Sequence, residues 1–496
     1  MRDWIKRKLQ GYKIPINKVD ARKPEKLTTP KRVAVVGGGI AGISAASTLA
    51  QRGFQVDLFE KANFLGGKVG SWEFESKGET LRTEHGFHAF FRQYYNLLDF
   101  LKEIGAHKHL IPIDDYVILF EKNQKQGFKN VETIPGLNII DLKRYGVYNW
   151  LTLLSPFSMP LLGLLQFDFK KTFKKYDKEN FASFAKRTFL PKKMQLVFNS
   201  FARAFFAEPK NMSMAELIKG FHFYFLSNDK GLVYDVLDQD FQTSFIDYCI
   251  KHLELNGAKI YLGQGLDQLI YKEEHFIIND ERYDYCVLCT DVNATKSIIQ
   301  ASQGLEKFET LIKQTQALQN SGNYAVIRLW TNAFEQDQEL PFFVFTDRLK
   351  CLDSVTLYHK MEKESTAWSQ EYNGGIFELH SYAVPEGMSK EACREELIAE
   401  FYHYFPELEG MEIQHEYYQF RNDFSAFHTG LYENRPKIKT EVRNLYFAGD
   451  WVKMDNCSML MEGAYVSGAL AANYILSKEG IQEKELFQVP TKGLLA

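Results

Sequence analysis

The sequence predicts an α/β fold in which one domain is assembled from separated stretches of chain and carries a second, α+β domain as an insertion. Three observations predict it. A glycine-rich turn stands between two strand patterns at residues 33–60. A short strand runs into Ala448-Gly449-Asp450 and then an apolar helix pattern near the other end, at 444–476. The 496 residues are too many for one ordinary hydrophobic core, so the long middle of the chain must build something of its own.

The first element is the most informative. In "KRVAVVGGGIAGISAASTLAQRGFQVDLFEK", Val33 to Val36 form a short buried-strand run. Gly37, Gly39 and Gly42 then supply G-x-G-x-x-G, a helical pattern follows through Leu49, and "FQVDLFE" is a second strand ending at Glu60. Such glycines allow a tight turn, close approach of a pyrophosphate to the backbone, and close packing of helix on strand. The helix start offers free N–H groups and a positive dipole end to phosphate. Glu60, about twenty residues on, is placed to accept from a ribose 2′-hydroxyl. Strand, helix and acid all stand where a Rossmann-like dinucleotide-binding unit needs them. An acid rather than a base at position 60 argues against a 2′-phosphate, and hence against NADP.

Composition sets the outer limits. Apolar residues make up 45% and charged residues 25%, as in ordinary globular proteins. A net charge of −3 gives no general attraction to nucleic acid, and none is expected as a partner. The 40 Phe and 26 Tyr suit a large core and also a long apolar ligand channel. The six scattered cysteines are not a disulfide framework and fit a reducing cytoplasm. Cys286 and Cys289 lie in the strand-like "YDYCVLC", where residues three apart point to opposite faces, so core packing is expected rather than a redox or zinc pair. "MRDWIKRKLQ" lacks the apolar run of a secretory signal. The basic stretch 1–31 reads either as a solvated tail or as a tether to anionic lipid, helped by Trp4, Ile5 and Leu9.

The expected division is a tail at 1–31, a discontinuous cofactor domain at 32–100, 240–300 and 435–480, a substrate domain at 101–239 and 301–434, and a C-terminal tail at 481–496. The first insertion reads as largely helical, as in "NFASFAKRTFLPKKMQLVFNSFARAFF". The second carries strand-like runs, "NYAVIRLW" and "GGIFELHSYAV". The most apolar stretch, 147–167, is broken by Pro156 and Pro160, which argues against a membrane span. Lys170, Lys171, Lys174 and Lys175 follow it, so it reads equally as an interfacial segment or as a buried helix with a solvated flank.

"LGGK" (65–68), "NLYFAGDWV" (444–452) and "MLMEGAYVSGALAANYIL" (459–476) resemble the cofactor segments of amine-oxidase superfamily flavoproteins. That resemblance implies FAD. It implies cofactor contacts from Lys61, Gly67 and Lys68, a backbone contact to adenine near Leu266, close approach at Gly449, and acceptance from ribityl hydroxyls by Asp450. It also sets the helix start carrying Met461, Glu462 and Ala464 toward the isoalloxazine C2=O, where the dipole favours negative charge.

"TEHGFHAFFRQYYNLLDFL" (83–101) resembles FAD-dependent carotenoid desaturases, in particular the isorenieratene-synthase-like and ζ-carotene-desaturase-like branch, to which 353–368 and 374–386 are also similar. The resemblance implies that this strand–turn lies against the flavin, with Gly86 letting the backbone pass and Phe87, Phe90 and Phe91 as apolar walls. His88 is then the candidate proton acceptor, His85 a structural hydrogen-bonder, and Glu84 the group that holds an imidazole in place. No metal is expected, because His85 and His88 three apart in a strand–turn do not converge and a third ligand is not evident.

The implied activity is FAD-dependent removal of hydride from an allylic C–H of a carotenoid or similar long polyene: desaturation, with ring aromatisation in the closest branch. Three alternatives stay open: a carotenoid isomerase or cyclase without net oxidation, an amine oxidase on the same fold, and a non-enzymatic FAD-bound carrier. With no second G-x-G-x-x-G in the chain, the expected electron partner is a diffusible acceptor, a quinone or oxygen. A substrate with almost no water solubility implies a cytoplasmic enzyme held at a membrane surface.

Overall fold

The computed structural model describes residues 13–113, 115, 117–120, 124–127, 129, 132, 134, 137–141, 149–228, 233–493 and 495–496. Five parallel strands form the first sheet: β1 (Arg32–Val36), β2 (Gln55–Phe59), β3 (Lys259–Tyr261), β4 (Tyr285–Leu288) and β5 (Leu445–Phe447). Their spatial order is β3-β2-β1-β4-β5, the order of a Rossmann sheet. Val35 pairs with Leu58 on one side and Val287 on the other, and Val287 with Tyr446. Strands buried on both faces carry apolar side chains at every position, which is why Val33 to Val36 is an unbroken apolar run. Helices α1 (Ile40–Gln51) and α2 (Leu460–Lys478) pack on each other. Their backbones come so close that a Cβ at Gly468 would lie 2.0 Å from the Ala41 carbonyl oxygen.

The second sheet has seven strands, in the order Ile413–Arg421, Tyr324–Thr331, Ile376–Ser381, Ser354–Leu357, Phe343–Thr346, Val117–Phe120, Gln124–Gly127. All neighbours are antiparallel except Phe343–Thr346 with Val117–Phe120. Alternation sorts its side chains. Ala325, Ile327, Leu329, Phe377 and Leu379 join a core on one face that includes Leu397 and Phe401 of the helix Lys390–Tyr404. Val326, Arg328, Glu378 and His380 fall on the other face, toward the turn at 84–88.

Three expectations need correction. The first insertion is not simply helical. Beside the helices Phe169–Tyr176, Phe181–Arg187, Lys192–Arg203 and Met214–Phe221 it gives two strands to the large sheet and two more, Leu110–Ile113 and Tyr234–Leu237, to a small one. Runs as short as "LIPI" and "VILF" carry no period that separates strand from helix. Neither terminal stretch is a loose tail where it is described. Ile14–Pro15 pairs with Phe487–Gln488, Lys23 with Glu483 at 2.8 Å, and Lys31 with Glu479 at 2.9 Å. The proposed tether residues Trp4, Ile5 and Leu9 lie outside the described residues. The stretch 147–167 is, in its described part, a short helix Trp150–Leu153 and a tight 3₁₀ coil Pro156–Gln166, with Pro156 at its start and Pro160 inside. Among the described residues no helix is long and apolar enough to cross a membrane. All six cysteines are free and buried.

Candidate active site

One cavity of about 2040 Å³ begins at the carboxyl ends of the parallel strands and continues to the large sheet. That exceeds the roughly 300–1,000 Å³ of an ordinary small-molecule pocket. At its first end the fingerprint glycines divide the work. Gly37 has φ +104°, and a Cβ there would lie 2.8 Å from Cys289 O. Gly39 is the N-cap of α1 and offers no side-chain acceptor, while a Cβ on it would meet nothing nearer than 3.9 Å, so a side chain here would fill the cavity instead. Gly42 does not line the cavity. A Cβ there would sit 1.8 Å from Gly37 O, which fixes its role as helix–strand packing. Glu60 lines the wall and accepts from Gly38 N at 2.6 Å and Ala62 N at 2.8 Å. Lys61, Gly67, Lys68 and Leu266 line it too, with the Lys68 ammonium 4.7 Å above the Phe424 ring.

Gly449, Asp450, Met461 and Ala464 line the next stretch. Asp450 Oδ1 accepts from Ser425 Oγ at 2.7 Å. The N-cap of α2, Met459, has no side-chain cap, so the first-turn N–H groups of α2 lack the acceptor an N-cap normally supplies. Glu462 departs from expectation. It is 1% exposed, does not line the cavity, and turns away to accept from Asn96 N (3.0 Å), Asn96 Nδ2 (2.5 Å) and Leu97 N (3.0 Å). Burial pushes its carboxyl up to about 7, against the pull of those donors. Two uncapped helix starts, the open space at Gly39 and an acid after β2 all fit the phosphates, ribose and isoalloxazine of FAD.

The "EHGFH" turn forms the wall beyond. His85, Phe87 and His88 line the cavity; Gly86 does not. Gly86 has φ +134°, and a Cβ there would stand 3.2 Å from His380 Cε1, so the glycine is required by the sheet behind the turn rather than by the cavity in front. Glu84 holds neither imidazole. Its oxygens accept from Phe241 N at 2.8 Å and Tyr358 OH at 3.3 Å. His85 bonds Tyr324 OH at 2.7 Å, and that hydroxyl donates to Asp423 at 3.0 Å. His88 Nδ1 donates to Gly86 O at 2.6 Å, which leaves Nε2 the unprotonated nitrogen. Burial, then the neighbouring His85, holds His88 down at about 4, so it is neutral near pH 7. Among the described residues no group of three or more His, Cys, Asp or Glu is arranged to hold a metal ion.

Past His88 the wall turns aromatic. Phe87 stacks on Phe343 at 4.5 Å, Phe91 meets Tyr224 at 4.6 Å, and Phe201 lies 6.2 Å from Tyr224. The sequence reading missed two groups of lining residues. Thr290, Asp291 and Asn293 follow β4, and the carboxyl end of a central parallel strand is a place where they were findable. Arg421 ends an edge strand of the large sheet, Asp423 and Phe424 follow it, and no motif marks any of them.

The profile of the family described as flavin containing amine oxidoreductase matches residues 40–476. The chain is 31% identical over 473 residues to a carotenoid phi-ring synthase of Streptomyces griseus, covering 93% of this chain and 90% of that one. It is 25% identical to a carotenoid phi-ring synthase of Chlorobaculum tepidum, covering 95% and 92%. Among solved structures, putrescine oxidase bound to putrescine superposes with a TM-score of 0.65 at 14% identity, over 90% of this chain and 99% of that one, a likeness of fold alone. A match this long, on a chain whose cavity has the shape and donors for the cofactor, places the protein: it belongs to the flavin containing amine oxidoreductase family and is an FAD-dependent oxidoreductase.

Proposed function

We propose that the protein dehydrogenates a carotenoid or similar long polyene at an allylic C–H, a desaturation that includes aromatisation of an end ring. The observation that carries this reading is the continuity of one cavity from the dinucleotide cradle into a wall of stacked aromatic rings. Relatives named for carotenoid phi-ring synthesis, matched over nearly their whole length, support the same substrate class.

Bound FAD would supply the two-electron acceptor. The chain's own residues bind, orient and exclude water. Gly37 makes the tight turn against Cys289, Gly39 leaves room for the phosphates, Glu60 accepts from the ribose, and the open start of α2 offers N–H groups to negative charge. Phe87, Phe91 and Tyr224 line the stretch that would take the polyene, where aromatic rings favour positive charge developing on it. A C–H beside such charge is far more acidic than an imidazolium, so the weak, neutral base His88 suffices to take the proton at Nε2. Reoxidation falls to a diffusible acceptor, a quinone or oxygen, in keeping with a single fingerprint in the chain.

Delivery of such a substrate calls for a lipid surface. Trp150, Leu151, Leu154, Phe157, Met159 and Phe189 are exposed together, and Phe157 packs 5.9 Å from Phe189. The coil that carries part of this patch rests on the turn His222–Leu226, whose Tyr224 and Phe225 line the cavity. The patch therefore lies one layer outside the aromatic wall.

The test is anaerobic. Holoprotein on liposomes is given acyclic and ring-ended carotenes, and flavin bleaching and product mass are followed. Bleaching with loss of two hydrogens per turnover is expected. Product of unchanged mass, with no acceptor consumed, would select an isomerase or cyclase instead.

A further inference from the structure

Helix α2 carries one acidic side chain, Glu462, and carries it in the turn that opens on the cavity, next to the wall residue Met461. The carboxylate caps a different helix. Tyr95–Glu103 begins with Tyr94 as N-cap, which supplies no side-chain acceptor, and Glu462 takes the amides of Asn96 and Leu97 in its place. Asn96 is in turn tied to the backbone of Phe487 at 2.7 and 2.9 Å. Tyr94 is itself a cavity wall, its hydroxyl 2.9 Å from that of Tyr224 across the aromatic stretch. A short covalent and hydrogen-bonded path thus joins the cofactor end of the cavity to its substrate end.

We propose that Glu462 is a positioning residue that locks the cofactor-facing turn of α2 to the tunnel wall and takes up a proton when the bound cofactor gains negative charge. The inference rests on the reading that FAD lies against the start of α2. Negative charge arriving at that turn raises the cost of keeping a buried carboxylate ionised one residue away. The groups that face Glu462 do not oppose protonation with a cation. Asp99, on the helix it caps, repels it. Tyr94, Tyr224 and Tyr465 are phenols held above their ordinary range by burial, and feel Glu462 in turn. The remaining partners are the neutral donors of Asn96 and Leu97. Burial already sets the carboxyl near neutrality, so a small added field switches it. In the balance, an external reductant supplies two electrons to the cofactor, and solvent supplies one proton more than the cofactor itself takes.

The experiment compares FAD-loaded wild type with Glu462→Gln, which keeps the acceptor oxygen for Asn96, gives up the one for Leu97 and cannot titrate. The midpoint potential is measured by dye equilibration with dithionite between pH 7 and 8.5. The slope should report one proton more per two electrons in the wild type than in the variant. A second measurement needs no variant: infrared difference spectra of glutamate-labelled wild type should show a protonated carboxyl band gained on reduction. Equal slopes, or no such band, overturn the inference alone. A protein that cannot be loaded with FAD at all overturns it together with the reading beneath it.

Discussion

Arg328 meets Glu378 at 2.8 Å through both Nε and Nη2 and stands 3.5 Å from Glu84, so one guanidinium serves two buried carboxylates directly behind the turn at 85–88. Tyr358 completes the set, its ring 3.7 Å under the guanidinium and its hydroxyl 3.2 Å from Glu378. Burial pushes both carboxyls up. For Glu378 the pull of Arg328 and His380 wins and holds it down at about 2, while for Glu84 burial and the repulsion of Glu362 win. The network fixes the strand end that carries His85 and His88, and it binds the two sheets' domains at the point where the cavity changes from polar to aromatic.

Removing the shared cation should therefore be costly. Arg328→Met leaves two carboxylates buried without their partner, and losing one member of a buried pair costs about 3–5 kcal/mol. Urea unfolding of the FAD-loaded variant should show that loss. A loss below about 1 kcal/mol would mean that the carboxyls simply protonate and the network is not what holds the turn.

Gly86→Ala should destabilise for a different reason. The residue sits at φ +134° with His380 Cε1 3.2 Å from the new methyl, and forcing a side chain into such backbone costs about 1–3 kcal/mol. Thermal unfolding should fall accordingly while flavin content is kept, since Gly86 does not line the cavity. Loss of flavin with unchanged stability would restore the role that the sequence suggests for it.

The sequence made the cofactor end legible because each residue there acts within its own short segment. Gly37, Gly39, Gly42 and Glu60 belong to one strand–turn–helix–strand, and spacing alone assigns their work. The substrate end was legible only as family likeness. Whether Glu84 bonds an imidazole or an amide 157 residues away at Phe241 is decided by long-range packing, which spacing does not encode. Glu462 shows the same limit on a single side chain. Its position in the helix start was readable, but its direction depended on an uncapped helix elsewhere in the chain.

Acid should weaken the fold through its buried imidazoles. His88 and His222 are both held neutral by burial, at about 4, below the ordinary value of 6.5. Between these values the unfolded chain binds more protons than the folded one, so stability is whole above about 6.5 and is lost as pH falls toward 4. His222→Gln retains a donor for Pro490 O, which His222 Nε2 reaches at 2.7 Å, and removes the titration. On going from pH 7 to 5 the variant should lose about 2 kcal/mol less than the wild type in urea unfolding. Glu462 runs the other way, its contribution lost as pH rises through about 7, but it is common to both proteins and cancels in the difference.

The apolar patch sets the last expectation. Leu151 is 84% exposed, Leu154 74% and Phe189 73%, and such a cluster of large side chains on one surface needs a partner. The helix Phe169–Tyr176 follows with Lys170, Lys171, Lys174 and Lys175 exposed, which matches an anionic lipid headgroup layer. Burying a leucine gains about 1.5–3 kcal/mol, so the double change Leu151→Glu and Leu154→Glu should lower vesicle binding by roughly 100-fold or more. Because both side chains already stand in solvent, flavin content and unfolding midpoint should not move. Vesicles with and without anionic lipid separate the two contributions: the lysines should matter only on the anionic ones, and the leucines on both. Undiminished sedimentation of the double variant with either kind of vesicle would show that the patch meets something other than lipid.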